Sequence, residues 1–182
     1  MNISRKLLIA AIAAAGVSAA ASSALAQNTA QATAGINAKV LQPITIANGS
    51  TTGGANATPL QFGTVISSAT AGTVVILASD GSHTDTNVTR LGSSPATTAA
   101  NFTVGATPSS PFTVGYVASG TNGFTIDSFT TNGCGVSDST STTLQVSTGS
   151  SCTFTVGGTL HVPANSAGGV VAGTLTTTVT YN

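Results

Sequence analysis

Val171-Ala172-Gly173-Thr174-Leu175-Thr176-Thr177-Thr178-Val179-Thr180-Tyr181-Asn182 alternates with period two almost to its last residue. Val171, Gly173, Leu175, Thr177, Val179 and Tyr181 share one face, and the opposite face is mostly Ala and Thr. Successive side chains of a β-strand point to opposite sides, so this pattern predicts a long strand with one face buried. Chain ends usually fray because little ties them down. This one is expected to end on a core strand.

Working back from that strand, the same signal recurs at short intervals, separated by Gly, Ser, Asn and Pro clusters. Leu160 and Val162 mark one strand, Phe154 and Val156 another, and Leu144 and Val146 a third. Phe124 and Ile126 begin a strand that runs to about Thr130. It is expected to return from Phe112, Val114 and Tyr116 through a hairpin loop at Ser119–Gly123, where Asn and Gly tolerate positive φ. Phe102 and Val104 form a further strand, and Asn87 to Leu91 a short one. Thr73 to Ala78 is a continuous apolar run, predicted to be buried on both faces. Leu60, Phe62 and Thr64 open another strand, with Gly63 as a candidate bulge. Ala34, Ile36, Ala38 and Val40 alternate ahead of Pro43, which demands an edge or a strand switch.

Helical periodicity is absent beyond the first 26 residues, so no crossover helix is available for parallel strands. The expected fold is all-β: an antiparallel immunoglobulin-like β-sandwich of about nine or ten strands. An outer-membrane barrel would need aromatic girdles, and this chain has no Trp and two Tyr.

The N-terminus reads as a targeting segment. Arg5 and Lys6 precede an apolar, Ala-rich stretch, and Ala24-Leu25-Ala26 supplies the small residues of a cleavage site. Residues 1–26 are therefore expected to be a cleaved signal peptide, and residues 27–182 a single domain. The destination is the periplasm, cell surface or extracellular space, with no stable membrane insertion after cleavage. In such a compartment Cys134 and Cys152, the only cysteines, read as a disulfide.

The mature chain carries Lys39 and Arg90 against Asp80, Asp85, Asp127 and Asp138, and no Glu. That balance offers no electrostatic footprint for nucleic acid or anionic lipid. It also leaves few tryptic sites, which suits an exposed protein. The inventory for chemistry is poor. Asp80-Gly81-Ser82-His83-Thr84-Asp85 is the one cluster of titratable groups, and its spacing fits no calcium loop. An Asp-Gly pair between strands is first a turn. His161 lies between Leu160 and Val162 and so points away from them. No nucleophile elbow precedes a helix. No catalytic, cofactor-binding or metal-binding residue is assigned, and the protein is read as not an enzyme.

Val162-Pro163-Ala164-Asn165, the run Gly173 to Asn182, Leu60-Gln61-Phe62-Gly63, Phe102-Thr103-Val104-Gly105, and the early Ala38, Val40, Pro43 to Ile46 pattern together resemble the bacterial family known as domain of unknown function 4402. The resemblance covers most of the mature chain. The chain end is also similar to that of chaperone–usher pilins and spore-coat-U-like subunits. Those pilins carry a penultimate Tyr and a Gly fourteen positions from the end, and here Tyr181 is penultimate and Gly169 fourteenth counting Asn182 as first.

This resemblance implies an incomplete immunoglobulin-like fold, completed by a neighbour's N-terminal strand, and a periplasmic chaperone that docks on the terminal strand. Its recognition residues here would be Gly169, Leu175, Val179 and Tyr181, and its donor strand Ala34, Ile36, Ala38 and Val40. The chain departs from the pilin pattern in its late cysteines and in the short, weakly apolar stretch Gln27 to Thr33. Alternation of Ala34 to Val40 fits a donated strand and an internal first strand equally.

The expected function is a non-catalytic exported structural subunit of a fibre or coat, self-associating and without a cofactor. The alternative is a monomeric secreted binding module with polysaccharide as its ligand class.

Overall fold

A computed structural model describes residues 32–49, 58–92, 95–120, 122–168 and 170–182. The signal-peptide expectation for residues 1–26 lies outside them. The chain divides into two compact units, Met1–Lys39 and Val40–Asn182. The described part of the first unit, residues 32–39, carries no strand and is exposed.

The second unit is all-β. Its strands are β1 (Thr45–Asn48), β2 (Val65–Ser67), β3 (Gly72–Ile76), β4 (His83–Thr86), β5 (Val88–Arg90), β6 (Ala100–Gly105), β7 (Pro111–Ser119), β8 (Thr125–Gly133), β9 (Val136–Ser139), β10 (Thr143–Gln145), β11 (Ser151–Val162) and β12 (Thr174–Tyr181). Every pairing is antiparallel.

The large sheet is built on β11. Phe154 faces Phe102 of β6 on one edge and Gly133 of β8 on the other. Leu160 faces Val74 of β3 on one edge and Ile126 of β8 on the other. A strand has only two edges, so β8 follows one of them throughout while β6 and β3 share the other end to end. The handover falls at Gly157. A Cβ there would collide with the Ile76 carbonyl and meet Ala78 N at 2.7 Å. The backbone leaving β3 occupies the space a side chain would need, so glycine is required for close approach rather than for a turn. β1 extends the sheet beyond β6, β4 beyond β3, and β9 beyond β8.

A three-stranded sheet, β10-β7-β12, faces the large one, and β2 and β5 form a separate ribbon. The two-layer arrangement is a β-sandwich. Its main core holds Phe102 and Val104 from β6, Phe112 and Val114 from β7, Leu144 from β10, and Phe154 and Val156 from β11, all buried. Phe102 and Phe154 stack with ring centroids 5.6 Å apart. Burial of side chains this size contributes about 1.5–3 kcal/mol each. A second cluster gathers Val74, Ile76, Leu160 and Val162. The Cys134–Cys152 disulfide, with Cα atoms 5.6 Å apart, pins the β8–β9 turn to the start of β11.

Several sequence expectations are corrected. The described residues hold twelve strands rather than nine or ten, because short polar strands carry no apolar alternation. β4 is one, lying partly inside the expected polar turn Ser79 to Asp85. Phe154 and Leu160 belong to one twelve-residue strand rather than two. β7 and β8 do not form a hairpin, since they lie in different sheets and their connection crosses between layers. Leu60 and Phe62 precede β2 rather than forming a strand, with one isolated bridge between Gln61 and Thr98. Thr73 to Ala78 is buried on one face, with Leu77 40% exposed. Ala34 to Val40 carries no strand.

Candidate functional site: an open strand edge beside an apolar groove

β12 pairs with β7 in unbroken register, from Thr174↔Ser119 to Tyr181↔Phe112. Its alternation is as the sequence predicts. Leu175, Thr177, Val179 and Tyr181 point inward and are half-buried, while Thr174, Thr176, Thr178 and Thr180 are exposed. The strand begins at Thr174, three residues later than the expected Val171, because the ladder with β7 stops at Ser119. Among the described strands, β7 is the sole partner of β12, so its other edge is open. β1, the edge strand of the facing sheet, likewise pairs only with β6. Cα atoms of β1 and β12 approach within 8 Å. The two open edges thus lie on the same side of the sandwich.

Between the layers, toward the Thr174 end of β12, a groove of about 1040 Å³ remains. Its walls include Leu60, Phe62, Val65, Phe124, Ile126, Leu160, Val162, Val171 and Leu175, and no described lining residue is charged. Phe62, Phe124 and Ile126 are only half-buried there. Ser166 to Gly168 and Val170 to Gly173 form part of the rim. It is tied down by Asn165 N donating to Ser68 O at 2.8 Å and Ser67 Oγ donating to Ser166 O at 3.1 Å. Arg90, the only Arg among the described residues, fixes the opposite wall. It forms a bidentate pair with Asp85 at 2.8 and 2.7 Å and donates to the Phe62 carbonyl at 2.9 Å. Nothing in the sequence marks Arg90 for this role beyond its being a lone cation that ends an apolar-polar run.

The other end of β12 is closed by a ring of hydrogen bonds. Thr107 N donates to Tyr181 Oη at 2.7 Å, Tyr181 Oη donates to Gln42 O at 2.9 Å, and Gln42 N donates to Thr107 Oγ1 at 2.6 Å. A phenol has one proton and lone pairs to accept with, so Tyr181 fills both roles at once. The following residue is held too, through Asn182 N to Pro111 O at 3.3 Å and Thr113 Oγ1 to Asn182 Oδ1.

Of the residues expected to matter, Leu175, Val179 and Tyr181 come together on the inner face of β12, packed on the main core. Gly169 lies outside the described residues. Ala34, Ile36, Ala38 and Val40 are exposed, Ile36 at 95% and Val40 at 88%.

The titratable groups are engaged in local structure. Asp80 accepts from Ser82 N at 2.8 Å, and this bond holds its carboxyl below the usual range. His161 pairs with Asp127 at 2.9 Å across β11 and β8, lowering the Asp127 carboxyl, with a further contribution from Ser128. Burial raises the Tyr116 phenol, whose hydroxyl bonds Thr131 Oγ1 at 2.6 Å. No three His, Cys, Asp or Glu side chains among the described residues are grouped so as to hold a metal ion.

The fold is an all-β sandwich with two open strand edges and an apolar groove toward the Thr174 end of β12. The chain belongs to the family described as domain of unknown function (DUF4402), whose pattern matches residues 44–181. No curated protein and no solved structure matches the sequence.

Proposed function

We propose that this protein is a non-catalytic exported subunit of a surface fibre or coat, polymerising by strand exchange. The observation that carries the reading is the uncharged groove beside the open edge of β12. An extended segment laid there gains main-chain bonds along the edge and fills the groove with alternate side chains. Ala34, Ile36, Ala38 and Val40 provide such a segment, apolar at every second position and exposed. Uncovered apolar groups and unpaired edges are a liability in a lone monomer, which supports a state in which both are covered.

The position of Gln42 favours a donor from another copy. Tyr181 holds Gln42 at the far end of β12. An antiparallel donor runs from the Tyr181 end to the Thr174 end, a distance of about 24 Å over eight residues. The subunit's own Val40 would then have to lie about 20 Å from Gln42, whereas two residues reach about 7 Å. A neighbour's arm has no such tether. The resulting contact is head-to-tail and builds open filaments. A periplasmic chaperone that covers β12 before assembly fits the same edge.

The mature chain exported to a periplasm is expected to give a ladder on an unboiled denaturing gel, collapsing to monomer on boiling. Ile36→Asp or Val40→Asp removes the ladder and leaves folded monomer. A ladder that survives both substitutions defeats the proposal. A wild-type chain that stays monomeric, with an assembly chaperone supplied, points instead to the monomeric binding module.

A further inference from the structure

The hydrogen-bond ring at Tyr181 joins two parts of the molecule with opposite duties in a fibre. We infer that Tyr181 is the joint through which a fibre of this protein transmits tension; this rests on the strand-exchange reading. Each subunit would receive its neighbour's arm along β12 and extend its own arm from Gln42. Pull applied to the fibre therefore enters a subunit at β12 and leaves at Gln42. Tyr181 is the last residue of β12, and its hydroxyl donates directly to the Gln42 carbonyl at 2.9 Å. Sequence separates these residues by 139 positions, yet one side chain spans them.

Without the ring, force must take a longer route. It passes from β12 into β7, back through the connection that contains Thr107, then into β6 and β1 before reaching Pro43. β1 contributes only four residue pairs to that path, Thr45↔Gly105 to Asn48↔Phe102. With the ring, Thr107 N, Tyr181 Oη and the Gln42 peptide must separate before β1 is pulled. Thr107 lies between β6 and β7, so its bonds also anchor the joint to both layers. β12 meanwhile is loaded along its length, with all eight pairs to β7 sharing the strain.

The test is single-fibre pulling at constant force on polymers of the mature chain, comparing wild type, Tyr181→Phe and Thr107→Val. Tyr116→Phe serves as the matched control, because it also removes an inter-layer tyrosine hydroxyl bond but lies off the route. The gel ladder is expected to be unchanged in Thr107→Val and Tyr116→Phe, and Tyr181→Phe is pulled as the fibres it forms. The lifetime of a subunit under load should fall about tenfold in Tyr181→Phe and Thr107→Val, the change in rate that losing hydrogen bonds of ordinary strength produces. Tyr116→Phe should match wild type. Equal lifetimes in all four overturn the inference alone, as does an equal drop in Tyr116→Phe. Absence of a ladder in wild type overturns the fibre reading, and this inference with it.

Discussion

Gly157 stands against the carbonyl of Ile76, in the place where β11 passes from one partner strand to the next. The contact is backbone to backbone, with Leu77 C at 2.9 Å from where a Cβ would sit, so no side chain can swing aside to make room. Gly157→Ala is expected to destabilise the fold by about 2–3 kcal/mol, as overpacking of a tight core does. Gly168→Ala, with nothing within 4 Å of its Cβ position, should leave stability near wild type. Urea unfolding of the two variants checks the contrast.

Thr177 points inward from β12, and its hydroxyl is buried without a hydrogen-bond partner. An unmade bond costs the desolvation of the group, whereas an apolar atom of the same shape does not. Thr177→Val keeps the volume and the β-branched preference for strands. It should raise stability by about 1 kcal/mol. A loss of stability would mean that the hydroxyl has a partner after all.

The disulfide closes a separation of 18 residues that includes the β8–β9 turn, β9 and β10. Restricting the unfolded chain over a loop of that length stabilises the fold by about 3 kcal/mol. Reduction, or Cys134→Ser with Cys152→Ser, should lower the urea midpoint accordingly. Reductant should have no effect on the double variant.

Asp127 is held below its ordinary pKa, first by the hydrogen bond to His161. A carboxyl whose folded pKa is lowered stabilises the fold above its unfolded pKa and loses that contribution as pH falls through the folded one. Asp127→Asn should therefore melt slightly below wild type at neutral pH, with the two curves converging in acid as the Asp127 carboxyl becomes protonated. Both side chains of the pair are exposed, so the difference should be small and shrink in high salt. Curves that stay parallel would remove Asp127 as the cause.

The parts of this fold that face a core were legible because burial writes itself into period two. β12 was readable from Leu175, Val179 and Tyr181 alone, and the pairing of Cys134 with Cys152 from count and compartment. β11 was split in the reading because Gly157 and Gly158 look like a turn, while in the fold they are where two neighbours press in. β4 was missed because His83 to Thr86 sits at an edge, where main-chain bonds rather than apolar side chains make the strand. The groove could not be read at all. It lies between elements distant in sequence, and Phe62, Phe124 and Ile126 look the same in sequence whether they line a groove or a closed core. Ala34 to Val40 alternates in sequence yet carries no strand, because alternation marks a segment able to pair and not the edge it pairs with.

The scarcity of cations would bear on the life of a polymer built as proposed. Among the described residues only Lys39 and Arg90 offer a bond to a protease of trypsin-like specificity. The Arg90 side chain is 16% exposed and clasped by Asp85, so in the folded protein that bond is shielded. Lys39 is exposed and sits inside the arm. Cleavage there would leave Val40 to Asn182 with its groove intact and nothing to offer a neighbour. In a fibre built as proposed, such a product still binds one end and extends no further, so a single cut turns a link into a chain terminator. Filament length would then be set by the balance between new subunits and a clipped fraction, with no separate capping protein.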